Sequence, residues 1–579
     1  MAHPLRARDR RHGGRLVDAQ PLGGPIAGRV RVLRRPNCRC DVRTRGTRAE
    51  PDLAGLLADR LRHVNAGLHV SRWAKRQPDA CALFDGERER TWRELDDRTN
   101  RLANGLISEF PVRPGERVAL LTANRIEVAE VLAACHKARA VYVGLNVRFD
   151  ADELAAALDS AAPAILLVAG EFAAQATAVA TLRGIPTLDL DDDGPHGYEA
   201  LMANAEATAP ATLHQSNPGD VACVVYTSGT TGRAKGVTFD HAAVLQHATI
   251  ACVEYEIGVD SRYLVQIPHN SSVNITIVPC LAAGAALGFA DSRSFDPSTF
   301  ASLVARAKVT HTFLVPTQLM RVLDKLADDD TRLSGLTTLG YGSSPIAPDR
   351  LRQLVDRYGP IFIQLYGMAE VASIGTLLRK DDHVRALATE PRLFASAGRP
   401  SWGVDVLVVD DAGAEVAPGE RGEVVFSGSH IMLGYYRDAE RTAEALVNGR
   451  MYSGDIGIVD DEGYVYIVDR KKNLIIRGGQ NIAPTEIENT LYRHQAVLEA
   501  CVVGAPDDEW GERVVAVVTL RPGKHASETE LLDFVNASEL ARFKRPEQIT
   551  VVEAIPKNTV GKMDKSQVRG WYWTDGRAV

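Results

Sequence analysis

Segments with the helical hydrophobic period alternate with short, nearly continuous apolar segments along most of the chain. Glu116–Leu121, Ala164–Ala169 and Asp220–Gly229 are predicted strands, and the last of them runs into a turn. Arg125–Ala138 is the predicted helix after the first strand, and THTFLVP and IFIQLYG are two further predicted strands. This alternation predicts an α/β fold in which helices cover the sheets.

The pattern changes from Gly422 onward, where short strands and turns replace long helical segments. The last ~100 residues, beyond Asn473, indicate a compact β-rich segment with two helices, which is large enough for a separate domain. We therefore predict a large N-terminal domain over residues 64–471, made of α/β/α subdomains and a small β-containing region. A small mobile C-terminal α+β domain is predicted over residues 472–579.

The first 50 residues are strongly basic, with 13 Arg, no Lys and four acidic residues. They carry a charge of +9, whereas the rest of the chain carries −16. The arginines follow no amphipathic period, and the segment lacks both the apolar stretch of a secretory signal and the serines of a transit peptide. We interpret residues 1–63 as a disordered extension, translated from upstream of a natural start near Val64. A basic arm for an anionic partner is the alternative.

Composition excludes several classes of protein. The 579 residues are 45 % hydrophobic and 24 % charged, which is ordinary for a globular protein. The net charge of −7 lacks the basic excess of nucleic-acid binders, so no nucleic-acid partner is predicted. Eight cysteines do not form a disulfide framework, and we expect a reducing cytoplasm. The longest apolar segment, Val278–Ala290, is interrupted by glycines and predicts a buried helix or strand, not a membrane span.

A polar, glycine-containing loop, YTSGTTGRAKGV, runs from Tyr226 to Val237 after an apolar strand. Its glycines allow close backbone approach, its hydroxyls donate hydrogen bonds and its lysine adds positive charge, which together suit phosphate oxygens. It is not a Walker A loop, because Gly236 follows Lys235 where Ser or Thr is needed. The candidate phosphate-binding residues are Thr227, Ser228, Gly229, Thr230, Thr231, Gly232 and Lys235.

This loop resembles the phosphate-binding signature of the adenylate-forming superfamily, which includes acyl- and aryl-CoA synthetases, firefly luciferase and peptide-synthetase adenylation domains. The resemblance covers about residues 66–570, with the motifs in the family's order. Thr91–Leu106 resembles the first core motif, and Leu145–Leu167 the second, with Val147 where Pro is usual. The resemblance implies ATP, Mg²⁺ and coenzyme A as cofactor and co-substrates, and a small carboxylic acid as substrate.

Two motifs resemble the family's nucleotide site. In QLYGMAE, Gln364–Glu370, the resemblance implies that Tyr366 stacks on adenine beside Gly367 and that Glu370, with Thr230, holds magnesium. Ala369 stands where the family usually has Thr. YGSSPI resembles the Gly-Gly-Ala-Pro turn along adenine and the acyl pocket, which implies roles for Tyr341, Gly342, Ser343 and Ser344.

The resemblance assigns the remaining residues to the C-terminal part of the chain. It implies that Asp455 binds both ribose hydroxyls and that Arg470 makes a second ribose or phosphate contact. Lys472 is at the hinge position, before an Asn473 that replaces the more usual acidic residue. Gly479 aligns with the glycine beside the pantetheine tunnel, and Lys562, in PKNTVGKMDK, with the catalytic lysine of adenylation.

These roles imply a two-step reaction. A substrate carboxylate attacks the α-phosphorus of ATP to give acyl-AMP and pyrophosphate, while Lys562, Lys235 and the magnesium on Glu370 counter negative charge. The small domain then rotates about Lys472, which brings Gly479 to the site, and the coenzyme A thiol attacks the mixed anhydride.

The identity of the acid stays open. His269 and Asn270 lie in the family's fourth motif and resemble aryl-acid enzymes, in which the Asn bonds a ring hydroxyl. An equally weighted interpretation is that His269 only lines the pocket and that the side chain of Asn270 bonds to backbone. An acyl-AMP ligase that loads a carrier protein is the alternative enzyme. A nucleotide-binding protein without catalysis is a third, supported only by Ala369 and Asn473. A homodimer also stays open.

Overall fold

The computed structural model describes residues 65–86, 88–227, 235–557 and 563–573. Its first sheet has seven strands, with a parallel centre and antiparallel strands at one edge. In spatial order they are Gly434–Tyr435, Lys235–Asp240, Val221–Thr227, Val141–Gly144, Arg117–Leu121, Ile165–Val168 and Thr187–Asp189. The strands predicted within Glu116–Leu121, Ala164–Ala169 and Asp220–Gly229 are found in this sheet, as Arg117–Leu121, Ile165–Val168 and Val221–Thr227.

A second sheet has nine strands, again parallel at its centre. In spatial order they are Arg399–Pro400, Thr376–Leu378, Phe362–Tyr366, Thr338–Gly342, His311–Leu314, Arg262–Val265, Ala286–Phe289, Cys81–Asp85 and Arg88–Thr91. The predicted strands THTFLVP and IFIQLYG are confirmed as His311–Leu314 and Phe362–Tyr366.

Both sheets bury both faces, which gives the large domain its layers. In Arg117–Leu121, Val118 and Leu120 face the largest hydrophobic cluster, whereas Ala119 and Leu121 face a smaller one on the other side. In the second sheet, Ile363 and Leu365 face the largest cluster, and a third cluster covers the opposite face. This two-residue period is what strands covered by helices on both faces require. The predicted α/β class is confirmed.

Helices cover these faces. The first long helix, Trp92–Glu109, begins after a capping box at Thr91. The side chain of Thr91 accepts from the backbone N–H of Glu94, whose side chain accepts in return from the N–H of Thr91. The α-helices of the large domain are Leu68–Arg76, Trp92–Glu109, Glu127–Ala138, Ala151–Ala161, Ala173–Thr181, Tyr198–Asn204, His241–Glu254, His269–Ser272, Val278–Ala283, Pro297–Arg306, Pro316–Lys325, Pro348–Tyr358, Lys380–Ala388 and Ala439–Ala445.

The apolar segment Val278–Ala290, predicted to be a buried helix or a buried strand, contains one of each. It forms the helix Val278–Ala283, which ends at Gly284 with φ +78°, and then the buried strand Ala286–Phe289. Among the described helices, none has the length and apolar character needed to cross a bilayer.

A small antiparallel sheet follows the second large sheet, as the pattern after Gly422 predicts. Its strands are Asp405–Val409, Gly422–Ser427, Arg450–Val459, Leu446–Val447 and Val465–Arg470.

The C-terminal segment has its own sheet, with a hydrophobic cluster on each face. The strands are Gln480–Ile482, Ile475–Arg477, Gly511–Leu520, Val497–Asp507 and Gln548–Val551. The prediction of two helices here is wrong, because the described residues of this segment form three: Pro484–Tyr492, Glu528–Asn536 and Lys565–Gly570. The third has only six residues, too few to display a helical period in the sequence. The predicted basic extension, residues 1–63, lies outside the described residues.

Candidate active site

The candidate phosphate loop begins and ends on two paired strands. Thr227 and Lys235 are register partners in the antiparallel pair Val221–Thr227 and Lys235–Asp240. Because Val221–Thr227 also pairs in parallel with Val141–Gly144, the loop leaves the carboxyl edge of the sheet, where α/β proteins bind ligands. The side chain of Thr227 and the predicted residues Ser228, Gly229, Thr230, Thr231 and Gly232 lie outside the described residues.

Lys235 and Glu370 are joined through one tyrosine that the sequence did not point to. The Nζ of Lys235 lies 5.0 Å from the ring centroid of Tyr435. The hydroxyl of Tyr435 donates to Oε1 of Glu370 at 2.6 Å, and both side chains are buried. The cation therefore rests on the ring whose hydroxyl holds the carboxylate.

Backbone hydrogen bonds fix this arrangement. Tyr435 is the register partner of Val237 in the strand that begins at Lys235. The N–H of Met432 donates to the carbonyl of Glu370 at 2.8 Å. The segment that carries Tyr435 is thus tied to the main chain beside both of its side-chain partners.

The donor set around Glu370 fits Mg²⁺. Oε1 accepts from Tyr435, and no described residue donates to Oε2, which leaves one hard anionic oxygen for a cation. No group of three or more His, Cys, Asp or Glu side chains able to hold a metal is found in the described part of the chain. A single carboxylate is the donor set expected where substrate phosphates supply the other ligands.

Asp455, Arg470 and Tyr366 form a second group. Asp455 and Arg470 are antiparallel register partners, and Nε of Arg470 lies 3.1 Å from Oδ1 of Asp455. The hydroxyl of Tyr366 donates to Oδ2 of Asp455 at 2.8 Å. Burial and the Asp455 carboxylate hold the pKa of Tyr366 well above its ordinary value, so the phenol stays protonated and keeps donating.

Lys472 interacts electrostatically with charged residues of both groups. Partial desolvation, together with the charges of Arg470 and Lys235, lowers the pKa of Lys472, while Asp455 and Asp564 oppose the shift. Lys472 is therefore within electrostatic range of the predicted Lys235, Asp455 and Arg470. The charge of Asp564, in the C-terminal segment, also acts on this lysine.

Lys562 lies outside the described residues, as do its neighbours back to residue 558. The residues on either side, Lys557 and Met563, pair as an antiparallel bridge, and the N–H of Asp564 donates to the carbonyl of Pro556. Asp564, two places after Lys562, is a described residue of this segment whose charge acts on Lys472.

Glycine is required at two positions of the adenine motifs. A Cβ at Gly342 would overlap the carbonyl oxygen of Leu365, and one at Gly367 would lie 2.6 Å from the carbonyl oxygen of Ser373. Ser343, which replaces a glycine of the family's turn, keeps a left-handed backbone with φ +72°. Ser344 is exposed and does not have this conformation.

His269 and Asn270 open a short helix that continues into the π-helical turn Val273–Ile277. Both side chains are buried. Nδ1 of His269 is 3.0 Å from the hydroxyl of Tyr142, whereas its Nε2 is buried without a partner. Burial lowers the pKa of His269 to about 4, so its ring is neutral. The amide of Asn270 makes no hydrogen bond to a described residue, so bonding to backbone is not observed.

Tyr341 is already engaged by other side chains. Its hydroxyl is 2.8 Å from Nε2 of His383 and donates to Oε1 of Gln364, and its ring packs in the cluster behind the second sheet. The described contacts do not connect Tyr341 with His269. Its role in the acyl pocket stays a prediction.

Gly479 lies in the turn between Ile475–Arg477 and Gln480–Ile482, with φ +78°. A Cβ there would meet no described atom within 4 Å. The left-handed backbone by itself therefore favours glycine at this turn. The predicted contact with the pantetheine arm stays a prediction.

Tyr435 and a pair of buried histidines are features of this region that the sequence did not predict. His247 and His430 stack with ring centroids 6.3 Å apart, and His247 faces the backbone of Asn274, in the predicted acid motif. Both nitrogens of His247 and Nδ1 of His430 are buried without a partner. These histidines are single residues in separate segments, so no spacing signals them. Tyr435 belongs to the strand Gly434–Tyr435, which is too short for its sequence to indicate a functional role.

Comparison with known proteins identifies the family. A model of the AMP-binding enzyme family matches residues 70–436, and a model of the AMP-binding enzyme C-terminal domain matches residues 486–562. Feruloyl-CoA synthase of an Amycolatopsis species is 36 % identical over 515 residues, which cover 88 % of this chain and 99 % of that protein. Indoleacetate–CoA ligase of Aromatoleum aromaticum is 32 % identical, over 87 % of this chain and 98 % of that protein.

A solved structure agrees with these sequence matches. The amide bond synthetase McbA from Marinactinospora thermotolerans superposes with a TM-score of 0.79 and 28 % identity, over 88 % of this chain and all of that one. The predicted resemblance is confirmed: the chain belongs to the AMP-binding, adenylate-forming enzyme family.

Proposed function

We propose that this protein is an ATP-dependent acid–CoA ligase. A carboxylate oxygen of the acid bonds to the α-phosphorus of ATP, and pyrophosphate leaves with the bridging oxygen. The coenzyme A sulfur then bonds to the acyl carbon, AMP leaves, and the thiol proton passes to solvent. The observation that carries the proposal is the group Lys235, Tyr435 and Glu370 at the carboxyl edge of the sheet, at the end of the candidate phosphate loop.

The described residues supply binding and charge. Lys235 offers a positive charge to phosphate oxygens at the loop's end, which stabilises negative charge that develops there. Asp455 accepts from Tyr366 and Arg470 in the structure and would accept from the ribose hydroxyls. Glu370 would hold Mg²⁺ through Oε2. When bound, that ion neutralises phosphate charge.

We further propose that Lys562 completes the adenylation site and that residues 472–579 move as a unit about Lys472. The electrostatic influence of Asp564 on Lys472 supports this, because Asp564 is only two residues from Lys562. Gly479 is exposed, and we propose that this movement brings it to the site.

An aromatic acid is the substrate class that we propose to test first. Feruloyl-CoA synthase and indoleacetate–CoA ligase, by their names, act on aromatic acids. In this chain, Nε2 of His269 is buried without a partner and the amide of Asn270 makes no hydrogen bond to a described residue. A ring hydroxyl could satisfy either group, and a buried polar atom without a partner costs free energy.

The test uses purified protein, ATP, Mg²⁺ and a pool of fatty, benzoic, hydroxybenzoic and alicyclic acids, with and without coenzyme A. Mass spectrometry reads the products. An acyl-CoA that needs both ATP and coenzyme A supports the ligase and identifies the acid. Acyl-AMP that persists with coenzyme A present contradicts the coenzyme A step. A carrier protein or an amine would then be added as acceptor, the latter because McbA is an amide bond synthetase.

A further inference from the structure

We infer that Tyr435 is a positioning residue that orients Glu370 for the metal and supports Lys235 for the phosphates. The inference rests on the proposed function, because it assigns the metal to Glu370. Lys235 begins a strand of the seven-stranded sheet, whereas Glu370 lies in the 3-10 turn Ala369–Val371, which follows a strand of the nine-stranded sheet. Tyr435 is thus a contact that the two residues share although they belong to separate parts of the fold.

The hydroxyl of Tyr435 selects the carboxylate oxygen that is left for a ligand. It donates to Oε1 of Glu370 at 2.6 Å, and no described residue donates to Oε2. A carboxylate held at one oxygen loses rotational freedom before the cation arrives. Partners of this kind, one shell outside the metal, fix the orientation of its ligands.

The ring of Tyr435 contacts Lys235, the second residue that this side chain positions. Nζ of Lys235 lies 5.0 Å from the ring centroid, within the range of a cation–π interaction. Because Lys235 follows the candidate loop directly, the ring restricts the ammonium group at the loop's end. One side chain therefore couples the positions of a cation and an anion that both serve the phosphates.

The backbone of Tyr435 is held independently of its side chain. Its N–H donates to Oγ1 of Thr442 at 2.9 Å, and it pairs with Val237 in the sheet. Removal of the hydroxyl should therefore leave the main chain in place. Tyr435→Phe removes the hydrogen bond to Glu370 and keeps the ring under Lys235, whereas Tyr435→Leu removes both.

The readout is metal binding without turnover. Mn²⁺ replaces Mg²⁺, and electron paramagnetic resonance measures its dissociation constant in the presence of the ATP analogue with a methylene group between the α- and β-phosphorus atoms. We expect Tyr435→Phe to weaken Mn²⁺ binding about 10- to 100-fold. Metal-free affinity for the analogue should stay unchanged in Tyr435→Phe and fall about threefold in Tyr435→Leu.

Two controls separate positioning from structural support. Tyr436→Phe alters the next tyrosine, whose hydroxyl bonds no described residue, and should leave Mn²⁺ binding as in the wild type. In a Glu370→Gln background, Tyr435→Phe should weaken Mn²⁺ binding no further. Thermal melting followed by circular dichroism reports the fold of each variant.

Equal Mn²⁺ affinity in the wild type and Tyr435→Phe overturns the inference and leaves the proposed function intact. A lower melting temperature with unchanged Mn²⁺ affinity overturns it as well, because the tyrosine is then only structural. Absence of nucleotide-dependent Mn²⁺ binding in the wild type contradicts both the proposed metal role of Glu370 and this inference.

Discussion

Arg470 lies with its Nε 3.1 Å from Oδ1 of Asp455, on the strand directly paired with that of its partner. Oδ2 of the same carboxylate accepts from Tyr366, which belongs to a different sheet. Asp455 thus connects the antiparallel sheet with the strand that leads to Glu370. The carboxylate is buried, and these two hydrogen-bonding partners offset part of the cost of its desolvation.

Asp455→Asn should weaken ATP binding about tenfold or more, because a hydrogen bond to a charged group contributes roughly 1.5–3 kcal/mol. Isothermal titration with ATP measures the change. Asp411→Asn is the matched control: Asp411 pairs with Lys471 on the surface, and exposed pairs contribute little. Equal affinities for ATP in Asp455→Asn and the control would remove Asp455 from the nucleotide site.

Asn270→Leu tests the proposed acid. We expect kcat/KM for a hydroxybenzoate to fall about tenfold, which corresponds to about 1.4 kcal/mol, while that for benzoate changes little. The reason is that the amide can bond only an acid that carries a ring hydroxyl. Parallel losses for both acids would show that Asn270 shapes the pocket and does not recognise the hydroxyl.

The fold and the site differ in how far the sequence predicts them. Apolar patterns predict strands such as Arg117–Leu121 and the helix Glu127–Ala138, because burial on one or two faces leaves a period in the residues. The loop before Lys235 is predictable because a continuous segment carries its chemistry. The contact between Tyr435 and Glu370 joins residues 65 positions apart and depends on tertiary packing, which no local pattern encodes.

Ser343 shows the same limit. The sequence reveals only that a serine replaces a usual glycine, whereas the structure shows that the backbone stays left-handed there, at φ +72°. A left-handed residue other than glycine costs about 1–2 kcal/mol, and glycine gains more entropy on unfolding, so the two effects partly cancel.

We therefore expect Ser343→Gly to raise the free energy of unfolding by up to ~1 kcal/mol. Urea denaturation followed by fluorescence measures it. Ser344→Gly is the control, because its backbone is not left-handed, and it should not stabilise the protein. Equal effects of the two substitutions would contradict the proposed strain at Ser343.

Because His247 and His430 are buried, we expect the folded protein to lose stability in acid. Burial lowers the pKa of His247 from 6.5 to about 3 and that of His430 to about 4. The folded state then binds fewer protons than the unfolded state below pH 6.5, so stability falls as the pH drops from about 6.5 toward 3. His247→Leu should make the melting temperature less dependent on pH between 6.5 and 4. The exposed His196→Leu should keep the wild-type slope, and a wild-type slope in both variants would contradict this account.

Lys562→Ala separates the two half-reactions. We expect loss of acyl-AMP formation, while transfer from supplied acyl-AMP to coenzyme A continues, because Lys562 is assigned only to adenylation. Lys557→Ala is the control: this lysine pairs with Glu499 and should affect neither step. Equal losses in both half-reactions of Lys562→Ala would contradict the division of roles.

The most direct measurement is acid-dependent exchange of labelled pyrophosphate into ATP, without coenzyme A. Formation of acyl-AMP is reversible, so we expect exchange that appears only when the correct acid is present and disappears in Lys562→Ala. ATP binding without exchange across fatty, aromatic and alicyclic acids would contradict adenylate formation, the central claim.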